Sequence, residues 1–113
     1  MPNQQTELDA LFAALADPTR RAILARLAHG PAPVTELARP FDMALPSFMG
    51  HLSKLQDGGL IETTKQGRVR TCTIRTGALA PARDWMAEQR LLWEGRLDRL
   101  EDYLATLTEG QDL

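Results

Sequence analysis

Residues 44–59 combine side chains whose types and spacing suit contact with a nucleic acid. Spacings of three and four residues predict that the small and polar members share one face of a helix. That face holds Pro46, Ser47, Gly50, His51 and Lys54. A hydroxyl, an imidazole and an ammonium can donate hydrogen bonds to phosphate oxygens or base edges, and no carboxylate precedes Asp57 in this stretch. We interpret this face as one that can lie against DNA.

The other face of the same stretch is apolar. Phe48, Leu52 and Leu55 recur at spacings of four and three residues and predict packing against a core. Pro46 suits the first turn of a helix, and Gly58-Gly59 suits its left-handed end. The sequence therefore predicts a bounded, half-buried helix.

A basic β-hairpin is predicted directly after this helix. Residues 60–65 and 68–74 are rich in β-branched side chains, and Gln66-Gly67 between them suits a two-residue turn. The candidate contacts to the DNA backbone or minor groove are Lys65, Gln66, Arg68 and Arg70. An ordinary solvated hairpin is the alternative.

Three helices are predicted before the stretch at 44–59, over residues 6–15, 17–28 and 35–39. Their predicted N-caps are Thr6, Asp17 and Thr35. The third helix and the helix at 44–59, joined by a short turn, form a helix-turn-helix. Thr35 could also bring backbone N–H groups to a phosphate. The predicted fold is mainly α with a β-hairpin wing, a winged helix-turn-helix.

Two cations open the second helix, where they oppose the helix dipole. Arg20 and Arg21 are therefore expected to have a partner, either a phosphate or a carboxylate such as Asp17.

A long apolar helix is predicted over residues 81–107. Apolar residues recur close to a heptad pattern at Met86, Trp93, Leu97, Leu100, Leu104 and Leu107. This face is widened beyond what a small core needs by Trp85, Leu91, Leu92 and Tyr103, so we expect it to pair two copies of the chain. Packing within the chain alone is the alternative.

Composition limits the function classes. The 113 residues predict one domain, 1–113, with a net charge of −2. Residues 1–83 hold ten Lys/Arg and seven Asp/Glu, whereas residues 84–113 hold three and eight, so one part of the chain can meet a polyanion. The sequence has no membrane-length apolar run and no secretory signal, and a single cysteine fits a reducing cytoplasm.

Three segments together resemble the ArsR/SmtB family of bacterial transcriptional repressors. They are LFAALADPTRRAILARL (11–27), FDMALPSFMGHLSKLQDGGLI (41–61) and ETTKQGRVRTCTI (62–74). The resemblance implies a homodimer that occupies a palindromic operator on double-stranded DNA, with an effector that weakens binding. It also implies a dimer interface from the first and last helices, with Leu8, Leu11, Phe12, Trp93, Leu97, Leu100 and Leu104 as its candidate residues.

The chain departs from the family pattern at several positions. Ala44 stands where members commonly have Ser, and Met49-Gly50 precede His51 where a polar pair is usual. The Cys-x-Cys pair of metal-sensing members is absent near residues 35–38, and the last helix lacks the ligand set of zinc sensors. We therefore expect no metal and no cofactor.

Other functions stay open from the sequence alone. The acidic last helix could make the winged helix a protein-interaction module, and Trp85 with Trp93 could line an effector pocket. Cys72 is expected to be structural, with a redox or alkylation sensor as the alternative. No catalytic motif is recognisable, so no enzyme is expected. The sequence identifies neither the effector nor the operator.

Overall fold

The computed structural model describes the backbone of residues 4–111 and the side chains of residues 5–108. The chain forms two compact units, Met1–Ala82 and Arg83–Leu113. The predicted winged part lies in the first unit, and most of the predicted dimerisation helix lies in the second. Residues 1–3 and 112–113 of the predicted domain are outside the described backbone. No helix among the described residues is long and apolar enough to cross a membrane.

Eight elements follow one another along the chain. They are α1 (Gln4–Leu15), α2 (Pro18–Leu27), β1 (Ala32–Pro33), α3 (Val34–Ala38), α4 (Leu45–Asp57), β2 (Ile61–Gln66), β3 (Val69–Ile74) and α5 (Ala80–Gln111). The five predicted helices and the hairpin are all present. Helices α3 and α4 form the helix-turn-helix, and β2 with β3 forms the wing, so the winged helix-turn-helix is confirmed.

Capping fixes where the second helix begins and where the fourth helix ends. The side chain of Asp17 accepts a hydrogen bond from the backbone N–H of Arg20 at 3.0 Å, as predicted for an N-cap. At the end of α4, Leu60 N–H donates to Leu55 O and Gly59 N–H donates to Gln56 O. These two bonds form a Schellman motif, and the φ of +73° at Gly59 explains the glycine.

The core of the first unit is formed by one face of α4 and the elements around it. Phe48, Leu52 and Leu55 are buried, as the apolar stripe predicted. Phe41, in the turn before α4, places its ring centroid 5.7 Å from that of Phe48. This contact packs the turn between the two helices against the buried face of α4, so the polar face of α4 points away from the core.

The wing belongs to a sheet with the strand order β1-β3-β2. Strand β1 was not predicted, and its two residues pair antiparallel with β3, Ala32 opposite Cys72 and Pro33 opposite Thr71. The predicted turn was wrong by one residue, because Gln66 pairs with Val69 and the two turn residues are Gly67 and Arg68. Gly67 has a φ of +63°, which suits a glycine at the first position of a tight hairpin turn.

Two predicted helix caps were wrong. Helix α1 begins at Gln4, so Thr6 lies inside its first turn. Helix α3 begins at Val34 with Pro33 as its N-cap, so Thr35 is a helical residue rather than a cap. In both cases the backbone enters the helix before the hydroxyl side chain, which then cannot take the extended conformation of a cap.

One predicted dimer residue belongs to the core of its own chain. Leu11 is 2% exposed, which leaves no surface for a second copy. It lies where α1 approaches the end of α4, close to Gly58. Leu8 and Phe12 are half-buried, so they keep surface that Leu11 does not have.

Gly58 allows α1 and α4 to approach each other closely. A Cβ at this position would lie 3.0 Å from Ala10 O and 3.0 Å from the Cβ of Ala14. We expect Gly58→Ala to lower the free energy of unfolding by about 1–3 kcal/mol, because the packed α1 backbone must move. Chemical denaturation of the whole protein measures this.

Gly50→Ala is the matched control, because a Cβ there meets nothing within 4 Å. Gly50 lies inside α4, where alanine favours the helix over glycine by about 1 kcal/mol. The same substitution should therefore stabilise at Gly50 and destabilise at Gly58. Equal effects of one sign at both positions would contradict this account of the α1–α4 contact.

Candidate nucleic-acid interface

The polar face of α4 is open to solvent. Pro46, Ser47, Gly50 and Lys54 are exposed, which places four of the five residues predicted on this helix at the surface. Leu45 is also exposed, at 59%, although sequence reasoning did not single it out. An apolar side chain at the start of such a helix can contact the methyl group of thymine. No sequence signal marked this exposure, because Leu45 lies three residues before Phe48, at a spacing that continues the apolar stripe.

The start of α4 carries no side-chain cap. Ala44 is the N-cap residue, and its methyl group offers no acceptor to the first N–H groups of the helix. Backbone N–H groups at a helix N-terminus attract phosphate oxygens because of their geometry and the helix dipole. Ala44 stands where family members commonly have Ser, so the N–H groups of Leu45 and Ser47 have no side-chain acceptor at the N-cap, and Pro46 has no N–H.

His51 is the fifth predicted residue on this face, and it is only 23% exposed. Its Nδ1 lies 3.2 Å from Nη1 of Arg20 and 3.7 Å from Oδ2 of Asp17. Because Asp17 accepts the backbone N–H of Arg20 and has the guanidinium of Arg20 close by, its pKa lies below the ordinary value. Arg20 and Asp17 therefore lie against the His51 side chain, whereas the other predicted residues on this face of α4 are exposed.

The two arginines on α2 hydrogen-bond to backbone carbonyls, and the charge of Arg20 also acts on Asp17, the carboxylate predicted as a partner. Arg20 donates through Nε to Ala14 O and through Nη2 to Ala13 O, each at 2.8 Å. Arg21 donates through Nη1 to Leu15 O at 2.8 Å. Both guanidinium groups therefore bind carbonyls of the last turn of α1, where a cation is favourable.

The wing presents its basic residues at the end of the sheet. Lys65 pairs with Arg70 across the two strands, and Gln66 pairs with Val69 next to the turn. The four candidate residues Lys65, Gln66, Arg68 and Arg70 are all exposed. Two cations directly opposite each other repel, so this pair is better explained by an external anion than by the stability of the hairpin.

A groove of about 280 Å³ joins the wing to the helix-turn-helix. It is lined by Pro33, Val34, Thr35, Met49, Arg68, Val69 and Arg70. The fold therefore brings together three predicted contacts from separate parts of the sequence, Thr35, Arg68 and Arg70. Val69, 51% exposed, is a lining residue that the sequence did not indicate. Apolar lining residues beside two guanidinium groups suit contact with the sugar and phosphate groups of a nucleic acid strand.

Comparison with known proteins decides the family. Residues 15–64 match a helix-turn-helix domain family. An HTH-type transcriptional regulator of Mycobacterium tuberculosis is 41% identical over 75 residues, which are 66% of this chain and 70% of that protein. The transcriptional repressor SdpR of Bacillus subtilis is 30% identical over 79 residues, 70% of this chain and 88% of its own.

A crystal structure of an ArsR family transcriptional regulator is 57% identical and superposes with a TM-score of 0.77. The match covers 83% of this chain and 97% of that one. This chain belongs to the ArsR family. It is a DNA-binding transcriptional regulator, and its relatives are regulators rather than enzymes. This function is favoured over the alternative of a protein-interaction module.

Among the described residues, no group of three or more His, Cys, Asp or Glu side chains could hold a metal ion. Cys72 is fully buried in β3, and burial raises the pKa of its thiol. A thiolate is the reactive form, so this environment opposes the sensor role and suits a structural cysteine.

Proposed function

We propose that this ArsR family regulator is a homodimeric repressor that binds a roughly palindromic operator. The start of α4 enters the major groove, and the wing contacts the adjacent backbone and minor groove. Residues 1–113 act as one DNA-binding domain, and its place of action is the cytoplasm, where bacterial DNA lies. Two copies of α4 then lie about 34 Å apart, one helical turn of DNA.

The observation that carries this proposal is the groove between the wing and the helix-turn-helix. Arg68 and Arg70 lie on one side of it and Met49, in α4, on the other. A DNA strand that runs from the major groove to the minor groove presents its phosphates between these two elements. The residues from 43 to 75 hold five basic and two acidic side chains, which favours such a polyanion.

The apolar side chains of α5 support the homodimer. Trp93, Leu97, Leu100 and Leu104 are 66%, 60%, 52% and 52% exposed, at spacings that keep them on one face. A continuous apolar surface of this kind on a helix favours association with a matching surface. In the proposed dimer Leu8 and Phe12 of α1 also contact the second copy.

A groove of about 540 Å³ on α5 contains Trp85, Met86, Trp93 and Leu97. Its position matches the alternative of an effector pocket. Because Met86, Trp93 and Leu97 belong to the heptad seam, a second copy of α5 would cover the same surface. We therefore assign this groove to the dimer interface.

Selection of bound fragments from the host genome tests the proposal and yields the operator. With that operator, Ser47→Ala should change the preference among operator variants by about tenfold or less, because one hydroxyl makes a permissive base contact. Binding to a mixed-sequence duplex should stay within about twofold of the wild-type value, since nonspecific binding depends on phosphates. Gel shifts against both probes measure this, and an equal loss on both would exclude Ser47 from base recognition.

A further inference from the structure

Arg20 connects the end of one helix to the DNA-facing side of another. Its Nε and Nη2 donate to Ala14 O and Ala13 O in the last turn of α1. Its Nη1 lies 3.2 Å from Nδ1 of His51 on α4. All three nitrogens of this guanidinium group therefore make a contact, and Nη1 is the one that holds the ring of His51.

The chemistry of this contact determines where His51 carries its proton. A guanidinium has donors and no acceptor, so Nδ1 must accept the hydrogen bond. In a neutral imidazole the proton then lies on Nε2. Asp17 does not reverse this, because its Oδ2 lies 3.7 Å from Nδ1 and accepts the backbone N–H of Arg20 at 3.0 Å.

We propose that Arg20 is a positioning residue, which holds His51 as the Nε2–H tautomer and so presents a donor to a DNA phosphate. A phosphate oxygen only accepts hydrogen bonds, and the other tautomer would place a lone pair at Nε2. His51 lies four residues after Ser47 and three before Lys54, on the same side of α4, and its side chain is 23% exposed. The tautomer assignment stands on the free protein alone, whereas the phosphate contact rests on the proposed function.

Nitrogen-15 NMR of the histidine side chains in the free, full-length protein tests the tautomer. The chain has two histidines, and the exposed His29 serves as an internal reference. At about pH 8, where imidazoles are ordinarily neutral, we expect His51 to show one Nε2–H tautomer. Arg20→Ala should move its two nitrogen signals toward each other, as mixed tautomers require.

Arg21→Ala is the matched control. Arg21 also donates to a carbonyl of α1, at 2.8 Å, but it makes no hydrogen bond to His51. Arg21→Ala removes a contact to the end of α1 but keeps the contact between Arg20 and His51, so the His51 signals should stay unchanged. If Arg20→Ala leaves His51 in the Nε2–H form, or if Arg21→Ala shifts it equally, the inference is overturned.

Binding to a mixed-sequence duplex of about 30 base pairs, long enough for two sites one helical turn apart, tests the second step. Arg20→Ala and His51→Ala should each raise the Kd about three- to tenfold for each protomer that contacts the duplex, the effect of one hydrogen bond. In the His51→Ala background, Arg20→Ala should add less than about twofold, because the two residues act on one contact. Additive losses would overturn the inference.

Two substitutions of His51 provide an independent test if Arg20→Ala impairs folding. Glutamine places an amide near the position of Nε2, whereas asparagine places it near that of Nδ1. His51→Gln should therefore keep more affinity than His51→Asn, and equal values would overturn the inference. If His51→Ala weakens binding and Arg20→Ala does not, Arg20 has no positioning role and the proposed function stands. If the wild-type protein does not bind the duplex, the proposed function and the phosphate contact both fail, and the tautomer is judged by NMR alone.

Discussion

A protein that carries both Leu97→Glu and Leu104→Glu is expected to be monomeric and to bind its operator at least about 100-fold more weakly, since two linked binding modules gain about 10²–10⁴ in avidity. Each monomer should still contact a single half-site. The loss should therefore be much smaller on a duplex that contains one half-site only.

The expected size follows from the position of the two leucines. Leu97 and Leu104 are 60% and 52% exposed and lie seven residues apart, so they occupy the same heptad position. In a dimer built on this seam, each glutamate would place a carboxylate in an apolar interface and close to its copy. Burial of an unpaired charge costs several kcal/mol, which a helix pair of this length does not offset.

The control variant changes the net charge of the chain by the same amount, at residues on the opposite face of α5. Arg99→Gln with Thr106→Glu also makes the chain more negative by two units, and both residues are exposed and roughly opposite the seam. This variant should stay dimeric in analytical ultracentrifugation and bind the operator within about threefold of wild type. A dimeric Leu97→Glu/Leu104→Glu protein would place the interface elsewhere.

Local signals made most of the fold predictable. Asp17-Pro18 identified the start of α2, and Gly58-Gly59 identified the end of α4, because caps depend on a few adjacent residues. Strand β1 was missed because two residues, Ala32 and Pro33, cannot show an alternating pattern. The hairpin turn was displaced because a glycine can supply a positive φ at either turn position.

Tertiary placement explains what could not be predicted. Leu11 was predicted at the dimer interface but is buried in the core of its own chain, because periodicity does not distinguish a core from a second copy of the chain. The contact between Arg20 and His51 joins residues 31 positions apart, and no local pattern links them. The groove likewise unites Thr35 with Arg68 only because β1 pairs with β3 beside the wing.

Removal of both wing arginines, Arg68→Ala with Arg70→Ala, should weaken binding to every DNA sequence on the order of 100-fold at low salt for each protomer that contacts DNA, given about 1.5 kcal/mol for each charge-assisted contact. Both side chains are exposed and line the groove in which we place the DNA backbone. The operator and a mixed-sequence duplex should lose similar factors, because phosphates carry no sequence information. Fluorescence anisotropy with both probes measures the loss.

Arg75→Ala is the control for this pair. Arg75 follows β3 at the other end of the hairpin, where its Nε lies 3.7 Å from Oε1 of Glu62. An exposed ion pair of this kind contributes at most about 1 kcal/mol to stability, and the residue lies outside the groove lining. Its removal should change DNA binding less than about threefold, as expected for a charge that acts only at long range.

The salt dependence separates a lost phosphate contact from a damaged fold. Each neutralised phosphate contributes about 0.9 to the slope of log K against log salt, so the double variant should lose nearly two units of slope for each protomer that contacts DNA. A protein that binds weakly because part of it is unfolded keeps the wild-type slope, since its folded fraction makes the same contacts. An unchanged slope in the double variant would therefore remove the wing from the interface and leave α4 as the DNA-binding element.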